Sequence, residues 1–171
     1  MLICFLSKDN GKIIMSNESA LIKTWHKFKK WPCGNWLFSK AVCFKAPYFG
    51  SMKPTILDLK AGHCSAVVKN TRRVHNHIGT IHAIAQCNLA ELCAGVMVDA
   101  TVPHKTHRWI PKGMTVQYLA KVDTDVTAIA EIELPHQWID KEDLVVPVKL
   151  YNTRNELVFT ADITMYITKK K

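Results

Sequence analysis

Several familiar signatures are missing from this 171-residue chain. No two cysteines stand in Cys-x-x-Cys spacing, so the usual zinc or dithiol pair is absent. No Gly-x-Ser-x-Gly elbow occurs, which removes the serine-hydrolase nucleophile. Neither Gly-x-x-x-x-Gly-Lys-Ser/Thr nor Gly-x-Gly-x-x-Gly is present, which removes the common nucleotide-phosphate loops. Glycine and proline number seven each, too few for a collagen-like or disordered chain. No helix-turn-helix pattern or RNA-binding aromatic motif is found, so no nucleic acid partner is expected. No apolar run reaches 18 residues, so no transmembrane segment is expected. Acidic residues are scarce: 14 against 23 Lys and Arg, a net charge of +9. Such a field favours anionic partners.

What is present is ordinary globular composition, 48% hydrophobic and 22% charged. The length suits one domain with a short extension. The cysteines at 4, 33, 43, 64, 87 and 93 stand in or near apolar segments. They read as reduced thiols, and so as a cytoplasmic protein. The leading MLICFL is apolar but too short for a signal-peptide core.

Residues 18–31 predict a helix, with Leu21, Ile22, Trp25 and Phe28 on one stripe and lysines on the rest. Pro32 and Gly34 stop it. This divides the chain into an N-terminal extension, 1–34, and a main domain, 35–171. Residues 35–61 read as one or two short extended segments broken by Pro47, Gly50 and Pro54. HCSAVVKN reads as a strand, and a polar loop covers 71–79. Residues 80–98 read as one continuous helix, apolar on nearly every face and therefore buried on all sides. Strands are expected near 106–121, 125–134, 143–152 and 157–168. One long helix among so many strands cannot form a doubly wound sheet. An antiparallel sheet curled around that helix satisfies the lengths, an α+β arrangement.

Three polar residues stand out in NHIGTIHAIAQCNLAELCAG: Asn76, His82 and Glu91. Asn76 lies six before His82 within a Gly-Thr-hydrophobe-His run, and Glu91 lies nine after it. This pattern resembles the hotdog-fold thioesterases, including the phenylacetate-pathway and 4-hydroxybenzoyl-CoA thioesterase-like groups. With its N-terminal helical extension the chain resembles an uncharacterised branch of them. The resemblance covers about residues 45–168. It implies an antiparallel sheet around a central helix, a homodimer or tetramer, and acyl-CoA or a similar thioester as substrate. It implies no cofactor, since the CoA moiety belongs to the substrate. It makes Glu91 the catalytic carboxylate, as base or nucleophile. Asn76 would position water or thioester, and the backbone amide after His82, that of Ala83, would polarise the carbonyl. Two differences stand out. Ala83 replaces a glycine common in relatives, and HRWIPKG carries no hydroxyl after Thr106.

The chemistry of these residues stands beside the likeness. A helix N-terminus offers unpaired N–H groups and positive dipole to an oxyanion. A carboxylate on an apolar helix can serve as general base; a structural Glu with a salt-bridge partner is the other reading, and Asn88 is positioned to hydrogen-bond it. Nine residues of helix span roughly 13 Å and turn about 180°. His82 and Glu91 of one chain therefore face apart, and one substrate would need both groups from two subunits. Arg72, Arg73, Lys105 and Arg108 are candidates for the CoA phosphates. His75, His77, His82, His104 and His107 lack a completing set of ligands, so no metal is expected. Trp109, Trp138 and Tyr118 are candidates to line or shorten an acyl tunnel. The expected activity is thioester hydrolysis. The alternative is a non-catalytic acyl-CoA-binding or structural hotdog module. A hotdog dehydratase would resemble proteins with a His-Phe-Pro-Gly motif, which this chain lacks.

Overall fold

The Ser19 hydroxyl accepts the Ile22 N–H at 3.2 Å and caps α1 (Ala20–Lys29). The computed structural model describes residues 19–171; the MLICFL segment lies outside the described residues. α1 buries Ile22 and Trp25 and leaves its lysines in solvent.

The extended reading of 35–61 fails over its first half. Gly34–Lys45 is a second helix, α2. Tertiary packing decides here. Phe38 meets Trp25 edge-on, ring centroids 5.0 Å apart, and Phe28 at 6.0 Å. Gly34 makes the close helix–helix turn possible. A Cβ there would fall 1.9 Å from the Phe28 carbonyl oxygen. Pro47–Ser51 forms a short 3-10 turn, and only Thr55–Lys60 is extended, as β1.

The remaining strands are β2 (His63–Val68), β3 (His107–Tyr118), β4 (Val126–Glu131), β5 (Glu142–Asn152) and β6 (Leu157–Lys169). They make one sheet in the order β1-β2-β4-β5-β6-β3, with every neighbouring pair antiparallel. The central helix, α3 (Ala83–Thr101), packs against all six strands. Ala90, Cys93, Ala94 and Met97 are fully buried beneath Ala66, Ala128, Val148 and Ile163 of the sheet's inner face. Small residues on helix and sheet allow this close approach. This is the hotdog arrangement. α3 is long and apolar enough to cross a membrane, but here it is the buried core helix.

α3 begins three residues later than its apolar pattern suggested. Ile81 pairs with His75 in an isolated bridge, and the His82 N–H donates to the Val74 carbonyl at 2.7 Å. These bonds hold 80–82 in the loop, and the helix runs on to Thr101 instead of stopping at 98.

The two sheet edges differ. Side chains of α2 engage β1: Ser39 Oγ accepts the Ile56 N–H at 2.7 Å, and Asn35 donates to the Leu57 carbonyl at 3.0 Å. β3 has β6 as its sheet neighbour and exposes Ile110, Met114 and Tyr118.

Candidate active site

The loop leading into α3 is tied together by its own side chains. Asn76 Oδ1 accepts the N–H groups of Ile78 and Thr80, each at 3.1 Å, and its Nδ2 donates to Thr80 Oγ1 at 2.8 Å. His75 Nε2 meets Asn70 Oδ1 at 2.6 Å. The Asn70 N–H in turn donates to Asp125 Oδ1 at 2.8 Å, and Lys69 donates to Asp125 Oδ2 at 2.7 Å. The Lys69 ammonium, with the Asn70 N–H, holds the Asp125 carboxyl below the usual carboxylate range.

His82 is the N-cap of α3. Its Nδ1 accepts the Ile84 N–H at 3.0 Å, which leaves Nε2 to carry the ring proton and face solvent. Among the described residues, no protein acceptor meets the Ala83 or Ala85 N–H. These are the orphan donors of a helix start.

Glu91 stands two turns further on. It is half-buried, and among the described residues no hydrogen bond or ion pair engages its carboxylate. The expected bond from Asn88 is not made: the Asn88 amide points at the Tyr48 hydroxyl, 3.4 Å away. Glu91 lines a cavity of about 310 Å³ with Leu92, Gly95 and Asp99 of α3. Val42, Phe49 and Trp109 also line it. Asp99 differs from Glu91 in having partners: its Oδ1 accepts the Trp109 indole N–H at 3.2 Å and lies 3.5 Å from His104 Nε2. A Cβ on Gly95 would come within 3.3 Å of the Trp109 ring, so glycine there lets the indole lie against the helix.

His82 and Glu91 remain about 13 Å apart along α3 and on opposite sides of it, so one chain does not bring them together. Nor does it gather the basic candidates. Arg72 and Arg73 lie exposed in a 3-10 turn beside the start of α3. Lys105 and Arg108 lie beyond its far end, and Arg108 Nε donates to Thr168 Oγ1 at 3.1 Å. The helix between them is roughly 28 Å long, so the four make no single phosphate site within one chain. Tyr118 is half-exposed, and its hydroxyl meets the Cys87 thiol at 3.0 Å. That hydrogen bond, with burial, pushes the phenol up to about 12. Trp138 packs against the core without lining the cavity.

Asp99, Phe49 and Val42 belong to the cavity but were not singled out from the sequence. For Asp99 a signal existed: Glu91, Gly95 and Asp99 recur every fourth residue, which puts them along one helix face. For Val42 and Phe49 the misread α2 hid it.

The family described as "Domain of unknown function (DUF4442)" matches residues 34–167. The structural-genomics crystal structure APC5556 is similar, with a TM-score of 0.75 and 42% sequence identity over 88% of this chain and 99% of that one. Pseudomonas aeruginosa PA5026, named a protein of unknown function and probable thioesterase, has a TM-score of 0.69 at 18% identity, covering 75% of this chain and 91% of that one. Haemophilus influenzae HI1161, named a thioesterase, has a TM-score of 0.62 at 15% identity, covering 71% and 82%. These last two share the fold. No curated protein matches the chain.

Proposed function

The chain belongs to the DUF4442 family, and on that premise we propose that it hydrolyses acyl thioesters, with acyl-CoA as the substrate class. The observation that carries this reading is Glu91: a half-buried carboxylate, unpartnered among the described residues, in the wall of an apolar cavity of about 310 Å³. A structural carboxylate would have a cation or N–H partner, as Asp99 and Asp125 do. The thioesterase names of PA5026 and HI1161, which share this fold, agree with it.

In the proposed reaction the acyl group lies in the cavity and the Glu91 carboxylate takes a proton from water. The water oxygen attacks the thioester carbon, and as the tetrahedral intermediate collapses the C–S bond breaks and the departing CoA thiolate takes the proton held by Glu91, leaving the free acid and the thiol. The Ala83 and Ala85 N–H groups of a second copy hold the oxyanion, because those of the same chain face away. The bare β3 edge, with Ile110 and Met114 exposed, is the surface on which two copies would join. The cavity is about twice the volume of one that admits benzene, ~150 Å³, which favours a short, medium or aromatic acyl group.

A panel of acyl-CoAs, followed by release of free thiol, tests the reading. Thiol release with saturation kinetics supports it. Tight binding without release would instead identify an acyl-CoA-binding module.

A further inference from the structure

The segment that walls the cavity has an outer face unlike the rest of the surface. Trp31 is 66% exposed, Trp36 53%, Phe44 89% and Tyr48 64%. Trp36, Lys40 and Phe44 are spaced by four residues along α2 and make one ridge. Lys53 lies beside Trp36 and Lys40 around a shallow pocket, and the Lys40 ammonium sits 5.6 Å over the Trp36 ring. Single exposed apolar residues are unremarkable, but four bulky aromatics within one short segment, 31–48, mark an interaction surface.

The charge of this segment states the partner. From residue 20 to residue 57 the sequence holds seven lysines and not one carboxylate. Most of the net +9 therefore sits on α1, α2 and the turn that follows. Aromatic side chains interleaved with lysines match an interface with an apolar interior and an anionic rim. A protein partner would be met better by arginine than by lysine, because lysine is depleted in such interfaces; this segment has no arginine.

We propose that the outer face of α2, with Trp31, Trp36, Lys40, Phe44 and Lys53, docks this protein on an anionic lipid bilayer. The residues named insert their rings at the headgroup level while the lysines meet lipid phosphate. Val42 and Lys45 of the same helix line the cavity, so docking brings the cavity wall to the membrane surface. The proposal does not depend on thioester hydrolysis.

The test is co-sedimentation of the full chain with vesicles, either phosphatidylcholine alone or an equal mixture with phosphatidylglycerol. The mixed vesicles should carry the protein down, phosphatidylcholine alone should not, and salt raised to about 0.5 M should release it. Lys40→Gln with Lys53→Gln should lower the partition about twenty-fivefold, at roughly a fivefold loss per lysine. Trp36→Ser with Phe44→Ser should abolish it. All of these side chains are exposed, and an unchanged melting curve confirms folding. The proposal is overturned if the mixed vesicles carry no protein down, or if both double variants bind as well as the parent. It is also overturned if the parent ignores vesicles and instead self-associates through Phe44, seen as a Phe44→Ser monomer in sedimentation.

Discussion

The two ends of the α3 site treat their polar groups in opposite ways. In the loop from Asn70 to His82, Asn70, His75, Asn76, Thr80 and His82 all carry hydrogen bonds within the loop or its neighbours. In the cavity about two and a half turns later, Glu91 has none among the described residues. A fully partnered network fixes geometry. An unpartnered carboxylate in an apolar wall is available for chemistry. On the proposed reading, the residues of one motif divide into a partnered frame around Asn76 and an unpartnered reagent, Glu91.

The largest effect should come from the reagent. Glu91→Gln is expected to lower kcat on the best acyl-CoA by about 10²–10⁴-fold with the melting temperature unchanged, since no internal bond is lost. Near-parental kcat on a folded variant would erase the distinction. Asn76→Ala should act first on the frame. It strands the part-buried Thr80 N–H, at a cost of about 1–3 kcal/mol, read as a lowered melting temperature. An unchanged melting temperature with lost turnover would move Asn76 to the chemical side of the comparison.

Smaller still is Asp125→Asn, which removes the Lys69 pair at the rear of the loop, for under about 1 kcal/mol. The folded carboxyl lies below its ordinary value, so its contribution is present above that value and is lost as pH falls through the depressed one. The melting difference between parent and variant should therefore shrink on acidification. A difference that grows instead would assign Asp125 another role. The least effect concerns Tyr118, outside both regions. Of the four tyrosines, one phenolate should appear late in an absorbance titration, near 12, and vanish in Tyr118→Phe. Because the folded value is raised, the stability it contributes holds below its ordinary value near 10 and is lost as pH rises through 12.

Much of this was legible in the residues. The strong period of two in β6 and the apolar run of α3 fixed those elements within a few residues, because burial on one face or on all faces leaves its mark on composition. α2 was not legible: GNWLFSKAVCFK mixes aromatic and β-branched residues, and what makes it helical is Phe38 against Trp25, a contact no local pattern announces. The same misreading concealed Val42 and Phe49 as cavity walls. Glu91, Asn76 and His82 were visible as a spacing. That the Asn76 amide would be consumed by its own loop was not, since it depends on the turn geometry that folds Thr80 back onto it.

The strand order has a consequence for how the chain is made. β3 emerges from the ribosome before β4, β5 and β6, yet its sheet neighbour is β6, the last strand to appear. Until residues 157–169 are synthesised, β3 has neither edge paired, and Trp109, half-buried in the finished fold, waits in solvent. A ribosome stalled after β5 would thus hold a sheet without its last two strands and a cavity without the wall that Trp109, Pro111 and Met165 supply. Slow translation late in the message should be more hazardous to this protein than slow translation early.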